Sequence, residues 1–199
     1  MGRILSNRQV VAAKVEVTEG TAIALAGADA NFQVMEPTFE ADIPMFNRTI
    51  LDNSLSRFKQ IAGTRLAKMT FKVENKGSGT AGTAPAFGKL LRCSGFLETV
   101  VAVTSVTYTP DQAVANVPSI SVGLYRDGLR KLLRGARGNV KYVAKNGEPG
   151  MWEFEFLGVY DGVSDVAMIT PSGVETTVPV PLLTAQFSVA AFSAFCSQV

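Results

Sequence analysis

Ala67-Lys68-Met69-Thr70-Phe71-Lys72-Val73-Glu74 alternates without a break. Met69, Phe71 and Val73 fall on one side of an extended chain, and Lys68, Thr70, Lys72 and Glu74 on the other. A period of two with one apolar face marks a strand that lies on a core and turns its other face to solvent. The pattern recurs downstream. In 151–160, Trp152, Phe154 and Phe156 oppose Glu153 and Glu155, and Asn146-Gly147 is a hairpin signal leading back to a partner strand at 139–144. In 119–125, Ile120, Val122 and Leu124 oppose Ser119, Ser121, Gly123 and Tyr125.

Upstream, residues 10–17 are β-branched, partly alternating and read as a first strand. Residues 32–50 are extended in character. Proline donates no ladder hydrogen bond, so Pro37 and Pro44 belong at edges, bulges or loops. Gly77 to Pro85 is a flexible loop that leads into the one helix, expected at about 84–94. Thr83 or a neighbour is its cap, Pro85 lies in its first turn, and Gly95 is its stop. Phe87, Leu90, Leu91 and Ser94 recur at helical spacing on one face. Residues 96–109 read as strand, and beyond Tyr160 short strands are expected near 174–180 and 185–192. The sum is one mainly-β domain spanning 1–199, a sandwich or partly closed barrel with a flanking helix.

Composition narrows the chemistry. The chain has 199 residues, 18% of them charged, with a net charge of +2 and no histidine. That length buries a core without disulfides or metal. The charge balance argues against binding nucleic acid by phosphate neutralisation, and the low charged fraction leaves surface to be buried against copies of the same chain. Without histidine, the commonest general base, the commonest transition-metal ligand and every Ser-His-Asp or Cys-His arrangement are missing. Cys93 and Cys196 lie far apart and read as two free thiols in a reducing cytoplasm. The N-terminal residues do not form a secretory signal, and no apolar run reaches the length of a membrane span.

Three stretches invite a sharper reading. The glycine-rich loop Gly77, Ser78, Gly79, Thr80, Ala81, Gly82, Thr83 precedes a helix but lacks the phosphate-binding G-x-x-x-x-G-K-[ST] pattern; Lys89 comes too late. It reads as a connector or an inter-subunit contact. Glu153 and Glu155, two apart on a strand, sit roughly 6.5–7 Å from one another, a spacing that does not exclude paired-carboxylate catalysis. Nothing else suggests a sugar cleft, and a solvated strand face is the plainer account. Arg126, Arg130, Lys131, Arg134 and Arg137 crowd one stretch, but interleaved Gly128, Leu129, Leu132 and Leu133 weaken a nucleic-acid reading. Pairing with acids of a neighbouring copy, or ordinary exposure, fits better. No catalytic, cofactor or metal site emerges, and a non-enzymatic role is expected.

The segment Phe71 to Phe96 contains Gly79-Thr80-Ala81-Gly82-Thr83-Ala84-Pro85, then Phe87-Gly88-Lys89-Leu90-Leu91-Arg92. It resembles the signature of bacteriophage major tail tube proteins, in particular those of long flexible tails. Glu98-Thr99 and Tyr108-Thr109-Pro110 fit the same family, although Ser94 stands between Cys93 and Gly95 where the family pattern has a Cys-Gly pair. A second block, Leu124 to Gly128 with Leu133 to Val140, then Gly147-Glu148-Pro149 and Phe154 to Gly158, resembles it too, as do Ala13 to Glu16 and Glu19 to Thr21. The likeness spans about 10–160; residues 161–199 form a C-terminal arm or strands outside it. The resemblance implies a β-sandwich subunit that forms homo-hexameric rings, stacked into a tail tube in the virion after assembly in the host cytoplasm. DNA passes through the lumen without sequence-specific binding. Terminator, tape-measure and distal tail proteins are the implied partners, with no cofactor and no membrane anchor. Gly77 to Thr83 is then an inter-subunit contact loop, and Glu153 and Glu155 face the lumen. The rival readings are another tail component such as a terminator, which stops at one ring, and a non-viral β-sandwich that binds a ligand in a polar pocket.

Overall fold

The computed structural model describes residues 8–48 and 58–183, and the backbone of 186–189 and 192–195. Its strands are β1 (Gln9–Val15), β2 (Met35–Asp42), β3 (Met45–Phe46), β4 (Ile61–Ala62) and β5 (Leu66–Glu74). After helix α1 (Gly88–Arg92) come β6 (Phe96–Val101), β7 (Ser105–Pro110), β8 (Ile120–Arg126), β9 (Leu129–Val143), β10 (Met151–Asp165), β11 (Gln186–Val189) and β12 (Phe192–Phe195). The described residues are mainly β with one α-helix, as the alternation predicts.

Six strands form one sheet in the order β1-β8-β9-β10-β5-β2, with every pairing antiparallel. Three two-stranded ribbons, β3–β4, β6–β7 and β11–β12, stand outside it. Among the described residues β1 and β2 are paired on one side only. Of the expected sandwich or partly closed barrel, the described residues show no closed barrel: they form an open six-stranded sheet with other chain layered over it.

The alternating strands sort as their sequences dictate. Met69, Phe71 and Val73 of β5 and Phe154 and Phe156 of β10 are almost fully buried. They meet in a run of rings, Phe32–Phe71–Phe156–Phe154, with centroids about 6 Å apart. Val11 and Ala13 of β1, Ile120, Val122 and Leu124 of β8, and Leu133 and Ala136 of β9 continue the same core. Phe87, Leu90 and Leu91 cover it from above. At the β1–β8 end the opposite face is buried as well, where Ala12 and Tyr125 pack under Leu25, Val166, Met168 and Ile169. That is why β8 is buried from Ile120 to Tyr125 instead of alternating.

Several expectations are corrected. The helix is Gly88–Arg92, not 84–94, and no side chain caps it: Thr83 belongs to a turn, and its N–H donates to the Thr80 carbonyl. Pro85 stands ahead of it and accepts from Gly88 N–H, and Gly95 follows it at φ 91°. Residues 96–109 are two strands, because the chain reverses at Ala102–Thr104 with Val103 at φ 59°. The β9–β10 hairpin reaches far past 139–144 and 151–160, and 174–180 is not a strand. The final pair β11–β12 takes up part of 185–192, of which 185, 190 and 191 lie outside the described residues, as do 49, 50 and Cys196. Pro37 does sit where expected, at a bulge in edge strand β2 beside Glu36 at φ 51°.

Leu91 is 1% exposed. Leu91→Ala is expected to lower stability by about 2–5 kcal/mol, read as a fall in the urea midpoint. An unchanged midpoint would place this helix face against something other than the sheet.

Candidate functional site

The solvent face of β2, β5, β10 and β9 carries the first candidate site. Antiparallel register puts directly opposed residues on the same face, so cross-strand rows can be read off. One row runs Lys72, Glu153, Lys141, with Glu36 of the β2 bulge reaching Lys72; the next runs Thr38, Thr70, Glu155, Asn139; a third runs Glu40, Lys68, Leu157, Arg137. Both sequence-nominated carboxylates lie here and are partnered within the chain. Lys72 Nζ is 2.8 Å from Glu36 and 3.9 Å from Glu153; Lys141 is 3.5 Å from Glu153; Lys68 is 3.0 Å from Glu155. The Glu36 carboxyl lies below its usual range because Lys72 hydrogen-bonds it, and the Lys72 ammonium is raised in return. Across these three rows stand four acids, Glu36, Glu40, Glu153 and Glu155, and four bases, Lys68, Lys72, Arg137 and Lys141, a net of zero. Glu153 and Glu155 are thus each held by lysines of their own chain.

The second candidate is the loop Gly77 to Thr83. It is a folded structure. Ser78 Oγ bridges the carbonyls of Thr80 and Thr83 at 3.0 and 2.8 Å, and Thr177 Oγ1 donates to the Gly77 carbonyl at 2.6 Å. A Cβ on Gly82, which has φ 72°, would run into the Val103 backbone, so the loop lies against the tip of the β6–β7 ribbon. A groove of about 630 Å³ opens between loop and ribbon, floored by Phe87, Leu91, Phe96 and Trp152. Lys89 is not available to a phosphate: it donates to the Asp29 carbonyl at 3.0 Å and to Asn31 Oδ1 at 2.9 Å, and burial lowers its pKa to about 8.

The arginine cluster finds partners in its own chain. Asp127-Gly128, at φ 43° and 95°, forms the two-residue turn of the β8–β9 hairpin and brings the arginines onto β9. Arg137 grips Glu19 with two bonds of 2.7 and 3.0 Å, Arg134 pairs with Asp161 at 3.3 Å, and Arg130 Nε donates to Ser164 Oγ at 3.1 Å.

Beside them sits a feature that sequence reading passed over. The buried Glu16 carboxylate accepts from Ser121 Oγ at 2.6 Å, Gly135 N–H at 2.7 Å, and Ser119 Oγ and Gly20 N–H at 2.8 Å each. Burial pushes its pKa up, but the four donors outweigh burial and hold the carboxyl below its ordinary range. The signal was present as a lone acid ending an apolar strand, opposite the serines of 119–125. Cys93 is buried, and burial pushes its thiol up to about 12, which makes it inert at neutral pH.

Among the described residues no group of three or more His, Cys, Asp or Glu is placed to hold a metal, and no helix is long and apolar enough to cross a membrane. The chain matches no protein-family model and no curated protein.

Proposed function

We propose that this chain is a structural subunit of a phage-type tail tube, a self-assembling protein and not an enzyme. The carrying observation is where its apolar side chains are exposed. Some stand on outlying segments, Met45, Phe46 and Ile61 on β3–β4, Leu97, Val100, Val101 and Val103 on β6–β7, and Val178, Val180 and Leu183 beyond β10; others, Leu66, Leu129, Leu157, Val159 and Val163, stand on the main sheet. Apolar clusters left in water are the mark of surfaces meant for a partner. Among the described residues β1 and β2 end the sheet, and a ring of copies would extend it from there.

The resemblance is what points to this particular assembly, and two of its blocks are neighbours in the fold. The resembling blocks 13–21 and 133–140, far apart in sequence, meet around Glu16: Gly20 and Gly135 donate to its carboxylate, and Glu19 binds Arg137. On this reading the balanced face bearing Glu153 and Glu155 lines the lumen. It is close to neutral, as suits a wall along which DNA slides without being gripped.

The purified chain is expected to form rings or tubes visible by negative-stain electron microscopy. A strictly monomeric species at high concentration by light scattering would refute the proposal. Rings that never stack would favour a terminator instead.

A further inference from the structure

We infer that Lys89 and Asn31 join their side chains in an isopeptide bond, a covalent staple that the folded chain forms on itself with loss of ammonia. The inference stands apart from the tube reading and does not depend on it.

The two residues are 58 positions apart in sequence and meet only through the fold. Lys89 lies in α1, and Asn31 ends the short helical turn Gly27–Ala30. The Lys89 Nζ is 2.9 Å from Asn31 Oδ1 and 3.0 Å from the Asp29 carbonyl, and the Phe32 ring closes on it with its centroid at 4.9 Å. Two bonds to one turn hold the amine against a side-chain amide. A small rotation of that amide brings its Cγ, one bond beyond Oδ1, to the roughly 3–3.5 Å from which a nucleophile attacks.

The surroundings suit an amine nucleophile. An ammonium has no lone pair to give, and lysines become reactive where loss of water favours the neutral form. Both hydrogen-bond acceptors of Lys89 are neutral oxygens. Burial lowers its pKa to about 8 against the opposing charge of Asp29, and Cys93 and Lys14 are the other ionisable groups that act on it. The Asp29 carboxylate itself accepts from Ala26 N–H at 2.8 Å and lies 3.8 Å from Lys14 Nζ.

The step balances without a co-reactant. The Nζ lone pair adds to Asn31 Cγ, the Cγ–Nδ2 bond breaks, and an Nζ–Cγ amide replaces it. Counted from the ammonium, Nζ sheds two protons, and both leave on Nδ2 as ammonium. One amide is exchanged for another, so nothing is oxidised or reduced. The product ties α1 to the turn before β2 and shortens the loop between them in the unfolded chain.

The intact mass of the full chain, kept folded and sampled over time, tests this. The wild type is expected to become lighter than its sequence by one ammonia, and tandem mass spectrometry to find two peptides joined through Lys89 and Asn31. The link should form faster as pH rises through about 8, where the amine loses its proton. Chain held in urea should stay unlinked, because only the fold brings the two side chains together. Lys89→Arg and Asn31→Ala should each keep the full mass of their sequences. A folded wild-type chain that retains its full mass, or one in which peptide analysis finds Lys89 free, overturns the inference. So does an ammonia lost equally from Lys89→Arg, which would come from another amide.

Discussion

Glu16→Ala is expected to be the most destabilising polar substitution in this chain, costing about 3–5 kcal/mol by urea unfolding at neutral pH. The carboxylate ties three parts of the fold together at one point: the end of β1 through the turn to Gly20, the start of β8 through Ser119 and Ser121, and the bulge in β9 at Gly135. Removing it leaves two serine hydroxyls and two backbone N–H groups in a confined space without their acceptor. Gly135 at φ 58° lies so close to Gly20 that a Cβ there would press on the Gly20 backbone, so neither segment has room to relax. The carboxyl titrates lower in the folded chain than in the unfolded one. Its contribution is therefore complete above the unfolded value near 4.5 and is lost as pH falls through the folded value. Glu16→Gln keeps one acceptor oxygen. It is expected to lose less stability and to remove this acid-dependent part of the profile. An identical acid limb in wild type and Gln variant would show that other carboxylates govern acid unfolding.

Two kinds of sequence signal behaved differently. Period-two alternation located β5, the core of β10 and the aromatic side of the sheet, because each of these strands has one wet face and one dry face. It was least informative where both faces are covered. Tyr125 and Leu132 alternate out of the main core yet are buried, since a segment from beyond β10 crosses the back of β8. Turns supplied by unusual residues were also hard to read. Val103 takes a positive φ that a β-branched side chain rarely adopts, so 96–109 looks like one strand. Asp127-Gly128, by contrast, is a strong hairpin pair, and read that way it would have turned the arginine stretch into β8–β9 from the start. The helix fell short because Pro85 to Gly88 form a turn, closed by Gly88 N–H on the Pro85 carbonyl. There Ala86 N–H donates to Glu175 at 2.7 Å, a contact 89 residues away that no local pattern encodes. The ion pairs of the charged face share this limit: each glutamate is visible in sequence, but the lysine opposite it is set by register.

Register also sets what a charge reversal on that face does. Glu153→Lys with Glu155→Lys is expected to leave the fold nearly intact while changing what passes over the sheet. The three pairs it breaks, to Lys68, Lys72 and Lys141, are all substantially exposed, and pairs of that kind contribute about 0–1 kcal/mol each at most. The melting temperature should therefore move little, although lysines opposite lysines add some repulsion. The electrostatic change is far larger. The three rows hold four acids and four bases in the wild type; the double variant leaves two acids, Glu36 and Glu40, against six bases, so the net goes from zero to +4 per chain. If the chain assembles into the proposed tube, repetition around a ring and along a stack makes that a cationic wall. A polyanion beside such a wall releases counterions and is held. If the face lines the lumen, tubes of the double variant assemble normally, yet virions carrying them eject DNA much more slowly, and raising the salt restores the rate as the phosphate contacts are screened. Ejection at the wild-type rate would place the face on the outside of the tube. Failure of the variant to polymerise, with an unchanged melting temperature, would place it between subunits.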